Sequence, residues 1–182
     1  MPIIASAKGS FIPAPEGTWQ GVCIDVVDLG IEEYEYKGKK ISAHKVQIRW
    51  ILDAEPALES GKPHMAVRKF TLSLGEKSKL KPFLESWRGR KFTDAELEGF
   101  DVENLIGANA QIQILHNHKN GNTYSNVEGI LPLGRGMTKM EVPADYVRQY
   151  IRDERAQLEA NPNPSSEEPN YNTEIGDDDI PF

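Results

Sequence analysis

Between Lys69 and Trp87 the spacing of apolar residues changes from every second position to every third or fourth. Phe70, Leu72 and Leu74 alternate with Lys69, Thr71 and Ser73, the period of a half-buried strand. From Ser78, whose hydroxyl suits the residue ahead of a helix, Leu80, Phe83, Leu84 and Trp87 recur at helical spacing as far as Gly89. A strand running straight into one short amphipathic helix limits the fold to architectures in which a helix interrupts a sheet at a defined point.

The flanking runs locate that point. Val22, Ile24 and Val26 share one face of a predicted strand over 18–29, between Gly17 and Gly30. After an acidic and aromatic segment predicted as a loop, 32–40, Val46, Ile48 and Trp50 alternate with Lys45, Gln47 and Arg49. A connection punctuated by Pro and Gly, 53–63, leads to the 69–74 run. Beyond the helix, 110–116 and 123–130 alternate again, joined through Asn120-Gly121, the dipeptide favoured in two-residue hairpin turns. Three strands, a helix and two strands is the order of an OB-fold, which binds oligonucleotides on its strand 2–3 face and with its 1–2 and 4–5 loops. The predicted fold is therefore mainly β: a five-stranded OB-fold Greek-key barrel with a helix between strands 3 and 4, an additional C-terminal helix and a disordered acidic tail. Residues 1–136 form the predicted barrel domain. Residues 137–160 carry an amphipathic helix, read from residue 143, with Tyr146, Val147, Tyr150, Ile151 and Leu158 on its apolar side, available to pack on the barrel or on a second copy. Residues 161–182, rich in Pro, Asn, Ser and Glu, hold too little apolar surface to offset the entropy of ordering.

A net charge of −7 argues at first against a nucleic-acid partner, which normally meets a basic footprint. The charge is partitioned. Residues 161–182 hold six carboxylates and no Lys or Arg, which leaves the preceding 160 residues at −1. Within them, 68–91 carry eight basic groups against Glu76 and Glu85, and 37–49 carry five against none, so the body can present a positive face. No apolar run is long enough to span a bilayer and the start lacks a secretory pattern, so the expected location is cytoplasmic, with no membrane partner. The single cysteine, Cys23, sits among strand-forming neighbours and is expected to be structural.

The last six residues are Asp177, Asp178, Asp179, Ile180, Pro181 and Phe182. Three carboxylates and a terminal one beside two bulky apolar groups suit an apolar pocket rimmed by Lys and Arg. This tip resembles that of bacterial and phage single-stranded DNA-binding proteins, letter by letter over 177–182, whereas the core resembles them in element order alone and is closer to phage-encoded members. The resemblance implies an OB-fold core that coats single-stranded DNA in replication, recombination or repair. It also implies a tip that docks a helicase, polymerase, nuclease or recombinase, with no cofactor and no catalysis.

For DNA contact the expected residues are Lys45, Arg49 and Lys69 on the outward phases of strands 2 and 3, and Lys37, Lys39 and Lys40 beside Tyr34 and Tyr36. Tyr34, Tyr36, Tyr124 and Trp19 are candidate platforms for base stacking, with a barrel-end position the alternative for Trp19. Trp50 and Trp87 share the phases of core residues. His116 and His118 lie on one strand face but lack a third metal ligand, Asp25 and Asp28 are too few for a nuclease site, and Gly75-Glu76-Lys77-Ser78 lacks the Gly-Lys adjacency of a phosphate loop. Two other readings are an OB-fold adaptor that binds protein and a phage strand-annealing protein. Homo-oligomerisation stays open.

Overall fold

Two dipeptides that accept left-handed backbone set the layout of the sheet. Lys37 and Gly38 have φ of 51° and 73°, and Asn120 and Gly121 have 52° and 75°. Both are two-residue turns whose twist matches the strands they join. In the computed structural model, which describes residues 12–55 and 58–160, they close two long hairpins. β1 (Gly17–Tyr36) pairs with β2 (Lys39–Leu52), and β4 (Asn109–Lys119) with β5 (Asn122–Pro132). β3 (His64–Thr71) adds to β2, and β1 also pairs with β4, giving one antiparallel sheet in the order β3-β2-β1-β4-β5.

The sheet is not closed by a ladder between its outer strands. They approach through a side chain: Arg68 of β3 donates from Nη1 to the Val127 carbonyl of β5 at 2.7 Å. The closed barrel expected from element order is thus present here as five strands in an open sheet.

α1 (Leu80–Arg88) lies between β3 and β4, as its period predicts. Ser78 Oγ accepts from the Leu80 and Lys81 amides at 3.1 and 3.5 Å, satisfying donors that the first helical turn leaves over. Leu80, Phe83, Leu84 and Trp87 are buried against the sheet. Trp50 of β2 lies at the centre of this core, 6.0 Å from the Phe83 ring and 5.7 Å from that of Trp87, whose indole donates to the Asn109 carbonyl at 2.9 Å. A second helix, α2 (Asp94–Glu98), opens with a capping box between Thr93 and Glu96, and a single 3-10 turn (Val102–Leu105) follows.

Three expectations are corrected. Residues 32–40 are not a loop: β1 runs to Tyr36 and β2 starts at Lys39, because the Lys37-Gly38 turn lets Glu35 face Lys40 and Tyr34 face Ile41 across the ladder. Val22 and Ile24 do not share a face with Val26. The register slips between Cys23 and Asp25, so Cys23 and Val26 point to the main core while Val22 and Ile24 join Ile51 in a second cluster on the other face. The C-terminal helix, α3 (Gln149–Ala160), begins six residues after 143, because the chain before it lies on the sheet instead. Met140, Val142 and Tyr146 pack on Val22, Ile24 and Ile51, and Asn109 pairs with the Met140 backbone in both directions at 2.8 and 2.9 Å. Among the described residues, those up to Gln149 form one unit and those from Tyr150 another. α3 has no buried residue. No helix among the described residues is long and apolar enough to cross a membrane.

Candidate nucleic-acid interface

Directly opposed residues in an antiparallel pair share a face, so the ladders show what the outward surface of β1, β2 and β3 carries. Lys45 lies opposite Thr71, Gln47 opposite Lys69, and Arg49 opposite Val67. On the β1 side Tyr34 lies opposite Ile41 and Tyr36 opposite Lys39, in the same phase as Lys45. The expected outward phases of strands 2 and 3 are therefore adjacent.

Part of this surface sinks into an open groove of about 880 Å³. Tyr34, Lys45, Lys69 and Thr71 line it together with the connection from β3 to α1. Lys45 Nζ sits 5.2 Å from the centre of the Tyr34 ring and donates to Thr71 Oγ1 at 2.9 Å. The ammonium supports one face of the ring, and Tyr34 keeps 44 % of its surface exposed. The β3–α1 connection is tied to itself: Ser73 Oγ accepts from the Gly75 amide at 3.2 Å, the Gly75 carbonyl accepts from the Ser78 amide at 3.0 Å, and the Ser78 hydroxyl donates to the Ser73 carbonyl. This holds Lys77 and Lys79 along the groove's edge. Five cationic side chains line the groove, Lys45, Arg68, Lys69, Lys77 and Lys79, against the two carboxylates Glu32 and Glu76. Arg68 is seated more deeply, its guanidinium 5.0 and 4.9 Å from the Phe70 and Phe83 rings, and burial lowers its pKa from the usual arginine value.

Other expected contact residues lie elsewhere. Tyr36 stands at the end of the β1–β2 arm, 56 % exposed, with Lys37 5.3 Å from its ring centre. Lys39 shares its face, and Lys40 lies on the opposite face against Glu35. Arg49 is engaged within the fold, donating to Gln47 Oε1 at 2.8 Å and to Gln149 Oε1 at 3.0 Å. Trp19 packs beside the main core and donates to the Pro15 carbonyl at 2.9 Å. Tyr124, 47 % exposed, is on β5 opposite Asn117 and does not line the groove. Residues 177–182 lie outside the described residues.

Lys77, Lys79 and Arg68 are the cationic groove residues that sequence reasoning did not single out, although all three fall in the basic stretch 68–91. Placing them required knowing that the strand ends at Thr71 and that the next seven residues fold against its end.

His116, His118 and Asp28 each have a local partner. His116 Nε2 is 2.8 Å from the Ala14 carbonyl, and His118 Nδ1 is 3.0 Å from Thr123 Oγ1. Asp28 accepts from the Gly30 amide at 2.7 Å and pairs with His44 at 2.6 Å, which hold its carboxyl below the usual range. Burial pushes the Cys23 thiol up to about 12, far from the thiolate range a nucleophile needs. No cluster of three or more potential metal ligands occurs among the described residues. No protein-family model matches the chain, and no curated protein matches it in sequence.

Proposed function

We propose that this chain binds single-stranded DNA along the groove between the β1–β2 arm and the β3–α1 connection, coating it without strong sequence preference during replication, recombination or repair. The observation that carries the reading is the meeting of Tyr34, Lys45 and Lys69 in one groove with Lys77 and Lys79. An exposed aromatic ring beside a line of ammonium groups is what a flexible polyanion with stackable bases requires, whatever its sequence. The strand order, the helix between β3 and β4 and the Arg68 link between the outer strands support an OB-fold description of the core. The Asp177–Phe182 tip, by its resemblance, serves to recruit a helicase, polymerase, nuclease or recombinase.

A fluorescence titration with a mixed-sequence single strand at several salt concentrations tests this. If the four groove lysines each meet one phosphate, log K against log salt has a slope of about −3, and affinity falls about 50-fold between roughly 50 and 200 mM salt. Replacing Lys45, Lys69 and Lys77 together by Ala flattens that slope by about 2. Tyr34→Ala weakens binding by about 1 to 3 kcal/mol through lost stacking, with the melting temperature nearly unchanged because the ring is half exposed. Wild-type affinity and slope in both variants would exclude this groove as the site.

A further inference from the structure

The groove contains two carboxylates that a simple phosphate-binding channel has no use for, Glu32 and Glu76. Glu32 lies two residues before Tyr34 on the same face of β1, opposite Ala43 and next to the Lys45 row. No hydrogen bond or ion pair holds either carboxylate among the described residues. The strand order places Glu32 and Tyr34 on the β1 side of the groove, Lys45 in the middle, and Lys69, Lys77 and Lys79 on the β3 side. The two sides therefore differ chemically: one offers three lysines beside Glu76, the other an aromatic ring beside Glu32.

A bound strand has an anionic edge and an edge of base donors and acceptors. Phosphates are drawn to the lysine side and repelled by Glu32. A base stacked on Tyr34 then has its polar edge on the face of β1 that also carries the Glu32 side chain, whose oxygens accept hydrogen bonds. Cytosine meets such an acceptor with its N4 amino group. Thymine presents the O4 carbonyl at the same position, where two acceptors would face each other with no donor between them.

We infer that Glu32 reads the base stacked on Tyr34, favouring cytosine and other bases with an exocyclic amino group over thymine. This rests on the binding reading above and grades it: the groove takes any strand, but not all with equal affinity. Cytosine and thymine are the informative pair: both are pyrimidines, but they differ at position 4 (amino against carbonyl), at N3 (acceptor against N–H donor) and by the thymine methyl, so the Glu32→Gln comparison is what isolates the share of the carboxylate.

The test is a fluorescence titration of the full-length chain with oligo-dC and oligo-dT of equal length, near neutral pH, for wild type, Glu32→Gln and Glu76→Gln. The wild type should bind oligo-dC at least about 5-fold more tightly. Glu32→Gln should bring the two affinities together, since an amide can donate to thymine O4 as well as accept from cytosine N4. Glu76→Gln should tighten both oligonucleotides alike through loss of one negative charge and leave the ratio in place. The ratio is the readout, because either substitution also removes repulsion from phosphates. Equal binding of both oligonucleotides by the wild type overturns the role of Glu32 while leaving DNA binding intact. A cytosine preference that survives in Glu32→Gln overturns it too. Failure of the wild type to bind either oligonucleotide overturns the binding reading itself.

Discussion

Trp50→Ala is expected to destabilise the protein by about 3 to 5 kcal/mol, a large share of what a domain of this size has to lose. The indole is wholly buried and is the common neighbour of Phe83 and Trp87, so its removal opens a void that β2 and α1 both border. α1 cannot move in to fill it, because it is held to β5 by the bond from Ser86 Oγ to the Ile130 carbonyl and to β4 by that from Trp87 to Asn109, and β2 is fixed by its ladders to β1 and β3. Trp50→Phe should cost much less. The Trp50 Nε1 is buried without a hydrogen-bond partner among the described residues, and a phenyl ring keeps most of the packing while removing that unmet donor. Urea unfolding followed by far-ultraviolet circular dichroism measures both. A loss below 1 kcal/mol in Trp50→Ala would show that this part of the core relaxes freely.

Asp25→Ala should cost about 3 kcal/mol and release the segment that precedes α3. Asp25 is 1 % exposed and accepts from three groups at or just before the start of α3: the Tyr146 hydroxyl at 3.0 Å, Arg148 Nε at 3.1 Å and the Gln149 amide at 2.7 Å. The last is the first amide of α3, a donor that the helix itself cannot satisfy. Burial by itself pushes the carboxyl pKa up, but the bonds from Gln149, Arg148 and Tyr146 outweigh it and hold the group below the usual carboxylate range. The folded value is thus depressed. The stability Asp25 contributes is present in full above about pH 5 and is lost as pH falls through the folded value. In Asp25→Ala the acid limb of the stability profile should be shallower. Limited proteolysis should cut between 137 and 149 sooner than in the wild type, and unchanged cleavage would mean that the apolar contacts of Met140, Val142 and Tyr146 hold the segment unaided.

The elements with an unbroken period were legible in the sequence. β2, α1 and the Asn120-Gly121 hairpin follow from alternation, helical spacing and one turn dipeptide, and the outward phases of Lys45 and Lys69 were correct because neither strand slips at those residues. β1 was misread where its phase breaks. A strand that changes register at Ile24 cannot be assigned a single apolar face from its pattern, yet the nearly continuous run Val22-Cys23-Ile24, with Val26 and Val27 after it, is what burial on both faces looks like. The cover for the second face comes from residues 137–149, over a hundred positions away, and no local signal announces it. The Lys37-Gly38 turn carries a weaker hairpin signal because a charged residue stands where Asn is usual. The Thr93-Asp94-Ala95-Glu96 capping box that opens α2 is a helix-start signal visible in the sequence itself. The groove was half legible: its lysine face follows from strand phase, whereas Lys77 and Lys79 depend on how a short connection folds back.

The link between Arg68 and Val127 bears on how the protein behaves at high concentration. A sheet with two unpaired outer strands offers each of them as a template on which another chain can add, the route by which β proteins aggregate or swap segments. Here a charged side chain projects from one outer strand to a backbone carbonyl of the other. An incoming strand would have to displace a guanidinium already bonded and lying over two aromatic rings that touch each other. The Arg68 side chain covers the point where the two outer strands approach, so Arg68→Ala is expected to raise edge-to-edge association in concentrated solution, read by light scattering.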